Sequence, residues 1–349
     1  MNVMIWNAAR GGMRSVVEAY GRDGFVADQN IHLIAAYGDG GFLARQWLLL
    51  RGLAEFTGLL LRRKVSLVHI HAAMRGSFWR KGLFASLARL GGVPVILHLH
   101  GSEMQPFYQS QAGWVQALIR RHLERATRVI VLSQSWERFI HSIAPAARIV
   151  IVPNHVALPP PVAQQDRQQN TILFLGLVGD RKGVFDLLPA FAQVLEKYPQ
   201  SRLIIGGNGE VERAQSVVLT LGIAHAVDLA GWIGPDDKAR LLAQAGIYTL
   251  PSHNEGLPVS VLEAMAYGLP VLTSHAGGLP ELIRDGDNGL LIEAGDQDAI
   301  AAALIRLLDD AALRADLGAK ARAEITTHYS DLVILPRLRL LYEEARSAR

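Results

Sequence analysis

One feature constrains the fold of this chain more than any other: short apolar runs alternate with helix-period segments along nearly its whole length. Twelve runs read as strands. The first six are Val3–Trp6, Ile31–Ala36, Leu67–Ile70, Val95–Leu99, Val129–Leu132 and Ile149–Val152; the second six are Thr171–Leu175, Leu203–Gly206, Val227–Ala230, Ile247–Leu250, Pro270–Ser274 and Leu290–Ile292. Helix-period stretches at Ala299–Asp309, Ala311–Thr326 and Leu332–Arg346 close the chain. Strands alternating with helices at this spacing are βαβ units stacked on parallel sheets. Between the two sets lies a polar, Gln-rich stretch headed by Pro159-Pro160-Pro161, which reads as a linker. The expectation is an α/β chain of two doubly wound, Rossmann-like domains, residues 1–158 and 171–331, joined by a linker over 159–170. A C-terminal helix over 332–349 is expected to cross back to the first domain. Such sheets bind ligands at the carboxyl ends of their strands, so both domains are expected to point their loops into one cleft.

Half of the 349 residues are apolar, enough for two cores. The absence of cysteine excludes disulfides and thiolate metal sites and fits a reducing compartment. Met1–Trp6 reads as a first strand with no basic segment before it. The most apolar stretch, Trp47–Leu61, is interrupted by Arg51 and Glu55 and is too short to span a bilayer. The net charge of +3 hides an asymmetry: residues 1–160 hold 18 Lys and Arg against 8 Asp and Glu, and residues 161–349 hold 17 against 24. A basic first half implies an anionic partner, whether nucleic acid, an anionic membrane or a phosphorylated substrate.

The densest chemistry lies in Ser252–Pro280, which carries two carboxylates, Glu255 and Glu263, around a Gly-Leu-Pro turn and a short helix. Pro258 suits the first helical position, where its missing N–H is not needed. The N–H groups of the first turn then form an anion site flanked by carboxylates, a layout that fits a nucleotide sugar. Four other strand ends carry candidate groups. Gly11-Gly12 after the first run lets backbone approach a phosphate or makes a tight turn. In His98-Leu99-His100-Gly101-Ser102-Glu103, both imidazoles fall on one face of the strand. They read as metal ligands with Glu103, as general bases or as core imidazoles, with His100 favoured for a ligand hydroxyl and His98 for structure. Phe174–Gly183 brings Arg181 and Lys182 to a helix start, with Lys182 as the phosphate candidate. Gly206-Gly207-Asn208-Gly209 implies close backbone approach or a mobile loop. Trp232-Ile233 stands against a base or packs. Asp285-Gly-Asp287 spells D-x-D but sits in a turn-forming run, and Asp236-Asp237 reads as a helix start.

These residues, in this order, resemble the retaining group 1 glycosyltransferases, family four of that classification, which have the GT-B fold. The resemblance rests on Glu255-x7-Glu263 within E-G-L-P-x-S-V-L-E-A-M-A-x-G-L-P-V. It is extended by the Gly11-Gly12 turn, H-G-S-E at 100–103, V-P-N at 152–154, F-L-G with K-G at 174–183 and G-G-L-P-E at 277–281. It implies transfer of a sugar from a UDP- or GDP-linked donor to a hydroxyl, with retained α configuration and with no metal or other cofactor. It also implies roles. Glu263 grips the ribose and Glu255 contacts the donor sugar. Backbone near Leu257, Pro258 and Val259, with Lys182, holds the diphosphate. His100 bonds the sugar and Gly12 approaches the phosphate. Gly11, Arg181, Gly207, Trp232 and Ile233 join the nucleotide-binding set. Leu177 departs from the pattern, standing where relatives carry an Arg, with Arg181 as the replacement candidate; Glu103 stands where many relatives have Asp.

A cytoplasmic enzyme is expected, with the basic first half facing the acceptor; contact of that half with the inner face of a membrane would make it peripheral and its acceptor lipid-linked, as in polysaccharide or lipopolysaccharide assembly. Cation–aromatic mixtures at Met74–Phe84 and at Arg120–Arg125 beside Trp114 read as solvated helix faces or, for one of the two, as the contact with an anionic membrane. No nucleic-acid module is recognisable. A nucleotide-sugar 2-epimerase, a disaccharide phosphorylase and an inactive partner subunit are the rival readings.

Overall fold

The computed structural model of the chain describes residues 1–347. Its strands are β1 (Asn2–Trp6), β2 (Ile31–Ala35), β3 (Leu67–Ala72), β4 (Val95–Leu99), β5 (Arg128–Val131), β6 (Ile149–Ile151), β7 (Gln168–Leu175), β8 (Arg202–Gly206), β9 (Val227–Gly231), β10 (Ala245–Leu250), β11 (Val271–Ser274) and β12 (Leu290–Ile292). They form two parallel six-stranded sheets, in the orders β2-β1-β3-β4-β5-β6 and β12-β11-β10-β7-β8-β9. The expected α/β class holds. The chain divides into two compact units, residues 1–155 with residues from 331 onward, and residues 156–330.

The central strands are apolar because they are covered on both faces, as parallel sheets require. In the first unit Val3, Ile5, Val68, Ile70, Val95 and Leu97 face a core shared with helices Phe42–Leu61 and Gly76–Leu90, where the Phe56 and Phe84 rings lie 5.6 Å apart. The alternate residues of β3 and β4 face the other way, toward helices Gly12–Arg22 and Asp331–Ser347. On that side Tyr342 meets Phe25 edge-on at 5.2 Å, and Arg339 pairs with Asp28 at 2.7 Å. The C-terminal helix thus packs on the first sheet. Of the segment expected as helix over 332–349, Ala348 and Arg349 lie outside the described residues.

β7 starts earlier than the apolar pattern indicated. Gln168 pairs with Ala245 of β10, so residues 168–170 belong to the sheet rather than to the linker. Parallel pairing uses backbone groups, so polar side chains do not prevent it. Buried Arg167 anchors the entry, donating to the carbonyls of Leu242, Ala243 and Ala245 at 3.2–3.3 Å and of Tyr267 at 2.5 Å.

The strand orders locate the ligand crevices. A doubly wound sheet opens at its carboxyl edge where successive connections run in opposite directions. That point lies between β1 and β3 in the first unit and between β7 and β10 in the second.

Candidate active site

The second unit's switch point carries the densest set of candidate groups. β7 runs into the Gly176–Gly183 loop and so delivers Lys182; β10 runs into Pro251–Pro258 and so delivers Glu255. The two side chains meet there as an ion pair, nearly buried. Glu255 also accepts the Ser252 hydroxyl at 2.7 Å, and the Ser274 hydroxyl at the end of β11 donates to the Ser252 carbonyl. The Glu255 loop is clamped from the far side: Gly278 N–H donates to the Gly256 carbonyl at 2.9 Å. At Gly277, with φ of 58°, a Cβ would stand 1.7 Å from the Glu255 carbonyl oxygen, so only glycine fits. Arg181 points into the same loop, donating to the Asn254 carbonyl at 3.2 Å and accepting from His253 N–H at 2.9 Å. Leu177 is about half exposed and carries no charge to this loop.

Glu263 lies on the following helix, Val259–Ala266, and pairs with Lys238 at the edge of solvent. Pro258 sits one position earlier than its residue type suggested. Its ψ of 123° is extended, and its carbonyl accepts the first helical bonds from Val261 and Leu262 at 3.2 and 3.3 Å. It is therefore the cap, and Val259 is the first helical residue. Leu257 is buried beneath this turn.

The glycine run after β8 is explained by contact within the protein. Gly207 N–H donates to the Gly231 carbonyl at 2.7 Å, and a Cβ on Gly207 would stand 1.6 Å from the Gly176 carbonyl oxygen. Val178 and Asn208 continue the seam at 2.7 Å. The loops after β7, β8 and β9 are stitched together, with Ile233 packed over Gly206 and Trp232 half exposed beside it. Asp285 and Asp287 behave as turn residues: Asp285 accepts Leu291 N–H at 2.9 Å, and Asp287 pairs with Arg284 and Lys320 at 2.9 and 3.4 Å.

In the first unit Gly11 caps the Gly12–Arg22 helix at the end of β1. His100 follows β4, its N–H donating to the Ala72 carbonyl at 2.8 Å. Its imidazole belongs to a ladder. β3 and β4 pair in register with His71 opposite His98, so His69, His71, His98 and His100 line one face. His100 Nε2 is 2.7 Å from His71 Nδ1, His69 Nε2 is 3.2 Å from His98 Nδ1, and His69 Nδ1 is 2.8 Å from the Tyr342 hydroxyl. Burial, then the neighbouring imidazoles (for His100, Lys81), push His69 and His100 down to about 3 and hold His71 and His98 well below the usual imidazole range. Nitrogens of His69, His71 and His98 come within 4.8 Å of one another. Both His69 nitrogens are already bonded, however, and the contacts described for His98 and His100 run to the β3 imidazoles rather than to Glu103. The Met74–Phe84 stretch is likewise interior in part: Phe78, Lys81 and Phe84 are buried.

Residues 160–324 match the family described as "Glycosyl transferases group 1", and residues 8–155 match the "Glycosyl transferase 4-like domain". The phosphatidyl-myo-inositol mannosyltransferase of Mycobacterium leprae is 30% identical over 262 residues, 73% of this chain and 68% of that protein. The chain belongs to the group 1 glycosyl transferases. A second relative is the UDP-Gal:alpha-D-GlcNAc-diphosphoundecaprenol alpha-1,3-galactosyltransferase of Escherichia coli, 25% identical over 284 residues, 76% of this chain and 72% of that one. The solved structure of sucrose-phosphate synthase from Thermosynechococcus elongatus covers all of both chains at a TM-score of 0.82 and 22% identity, a likeness of fold, GT-B.

Three residues of this glycosyl transferase were not singled out by sequence reasoning. Lys238, the partner of Glu263, sits in Pro235–Gln244, whose acidic start drew attention away from it. Ser252 carries no signal in the sequence beyond its place at the head of its stretch. Lys81 looked like one cation in a solvated run, yet it is 1% exposed. The ladder did leave a signal: H-x-H occurs twice, in Val68–His71 and in Leu97–His100, at the ends of two strands.

Proposed function

We propose that this glycosyl transferase moves a hexosyl group from a UDP- or GDP-linked donor to a hydroxyl acceptor, with retention of the α configuration and without a metal. The observation that carries the reading is the Lys182–Glu255 pair at the switch point of the second sheet, with Glu263 a short helix away. Breaking the bond to the anomeric carbon puts positive charge on the sugar ring and negative charge on the departing diphosphate. Fixed dipoles and cations aimed at that diphosphate lower the barrier most. Lys182, the first-turn N–H groups of Val259–Ala266 and Arg181 supply them. Glu255 is the partner for the donor sugar. Glu263 takes the ribose hydroxyls once Lys238 yields it. The stitched loops bearing Gly207, Trp232 and Ile233 lie beside the base. Within the first unit, His100, kept neutral by burial and so able to donate or accept a hydrogen bond, and the Gly11-Gly12 turn are the groups suited to a sugar hydroxyl and a phosphate. The acceptor hydroxyl attacks from the face the diphosphate leaves, and that phosphate takes its proton.

The acceptor is read as lipid-linked, as in assembly of a surface polysaccharide. Both relatives described above carry a lipid in the names of their acceptors, and the first 160 residues are strongly basic. A thermal-shift series across UDP-, GDP- and ADP-linked sugars tests the donor, and NMR of the product's anomeric proton tests the stereochemistry. Absence of a shift with every nucleotide sugar overturns the donor assignment, and an inverted product overturns retention.

A further inference from the structure

Helix Phe42–Leu61 is apolar on two opposite faces. One face packs inward through Gly52 and Phe56, which are buried. The other face does not pack: Leu43, Trp47, Leu50 and Leu61 are 81%, 69%, 60% and 80% exposed. At about 100° per residue these four side chains project within roughly 60° of one another, opposite Gly52 and Phe56. Single exposed leucines are ordinary, but an aligned row with a tryptophan in it marks a contact surface.

Two neighbouring helices widen the row. Gly76–Leu90 lies between Phe42–Leu61, through Phe84 on Phe56, and Gly113–Glu124, through Phe78 on His122 at 5.2 Å. It exposes Leu83 and Leu90 on the side away from its buried residues. Gly113–Glu124 exposes Trp114 and Leu118, and Arg121 and Arg125 follow at helical spacing on that face. Cations border the apolar surface: Arg51, Arg62, Arg63 and Lys64 are exposed. Helix Phe42–Leu61 holds one acid, Glu55, and it is paired with His32 at 2.6 Å. Among the described residues no helix is long and apolar enough to cross a membrane.

We propose that this three-helix face docks the protein on an anionic lipid bilayer, with its leucines and tryptophans seated among headgroups and upper acyl chains and its cations on the lipid phosphates. An apolar row edged by Arg and Lys, with tryptophan at the boundary, suits a surface that lies on a bilayer. It narrows the Met74–Phe84 stretch to Leu83, since Phe78 and Phe84 face the core, and adds the neighbouring helices to the membrane contact. The inference deepens the lipid-linked acceptor reading and rests on it only for its purpose. Docking is measured without donor or acceptor, so the two fail separately.

The test floats the full chain with phosphatidylcholine vesicles, with and without about a third phosphatidylglycerol. The chain is expected to float with the anionic vesicles. Flotation should fall about tenfold in Leu43→Gln/Trp47→Gln/Leu50→Gln and several-fold in Arg62→Glu/Arg63→Glu, with melting temperatures kept, since every substituted side chain is exposed. No flotation of the parent chain, or equal flotation of the apolar variant, overturns the proposal. So does a parent dimer that the apolar variant converts to monomer without any vesicle binding, which would give the face to a second copy of the chain.

Discussion

The Lys182 ammonium and the Glu255 carboxylate form an ion pair at the switch point of the second sheet, with 13% and 5% of their side chains exposed. Each therefore depends on the other. A buried carboxylate left alone is costly, and an ammonium left alone is free to follow the diphosphate.

Lys182→Ala should lower kcat by roughly 10²–10³, the loss typical of one donor aimed at developing negative charge, about 2.7–4 kcal/mol. It should also lower stability by on the order of 3 kcal/mol, because the buried Glu255 carboxylate loses its charged partner and keeps the Ser252 hydroxyl. Lys182→Met/Glu255→Gln should recover most of that stability while staying inactive. Steady-state kinetics and urea unfolding of the three chains check both halves, and a normal kcat in Lys182→Ala sinks the assignment.

Glu263 and Lys238 make a different kind of pair, nearer solvent at 16% and 26% exposure. An interaction made equally in ground and transition states appears in KM and not in kcat. Glu263→Ala should raise the donor KM at least tenfold, about 1.4 kcal/mol, with kcat little changed. Lys238→Ala should raise KM only a few-fold, since Glu263 itself remains. Equal KM values for parent and Glu263→Ala would remove the carboxylate from the ribose.

The histidine ladder predicts acid sensitivity. His69, His71 and His98 are fully buried and held below the ordinary imidazole value of 6.5, His69 at about 3. Unfolding releases them to take up protons, so below pH 6.5 the unfolded chain binds more protons than the folded one. Stability is then lost as pH falls, by up to about 1.4 kcal/mol per pH unit for each group. Urea midpoints at pH 7, 6 and 5 should fall progressively, and His98→Leu should remove about one proton equivalent from a slope to which His100 and His122, also held low by burial, contribute. A midpoint independent of pH over that range contradicts the buried, neutral ladder.

The alternation of apolar runs made all twelve strands legible, because residues in a doubly covered sheet must be apolar on both sides. It failed at Gln168–Asn170, where pairing is carried by backbone and by Arg167 rather than by apolar side chains. Glu255 and Glu263 were legible because a helix start and a proline turn bracket them within one short segment. Lys238 was not, because its contact with Glu263 spans 25 residues and depends on how the loop after β9 folds back. The glycines at 206–209 announced a close approach without saying to what; the answer, the backbone of Gly176–Val178, requires the sheet order.

Lys81 carries the last prediction. Its ammonium is buried, with Ser77 Oγ at 3.2 Å and Met13 Sδ at 3.4 Å, and among the described residues no carboxylate pairs with it. Burial, then the charge of Arg80, push it down to about 7. The unfolded chain keeps this proton up to the ordinary lysine range, so the folded chain binds fewer protons between pH 7 and 10.5. Its stability should therefore rise with pH across that window, with the full cost of the buried charge present below pH 7. Lys81→Met keeps the length of the side chain and removes the charge. It should stabilise the chain at pH 7 by on the order of 1–4 kcal/mol and flatten the rise toward pH 10. The same substitution removes a cation that helps hold His71 and His100 neutral, so the His100 imidazole should titrate at higher pH in the variant, readable by NMR. A Lys81→Met chain less stable than its parent at pH 7 would show that the ammonium is compensated where it lies.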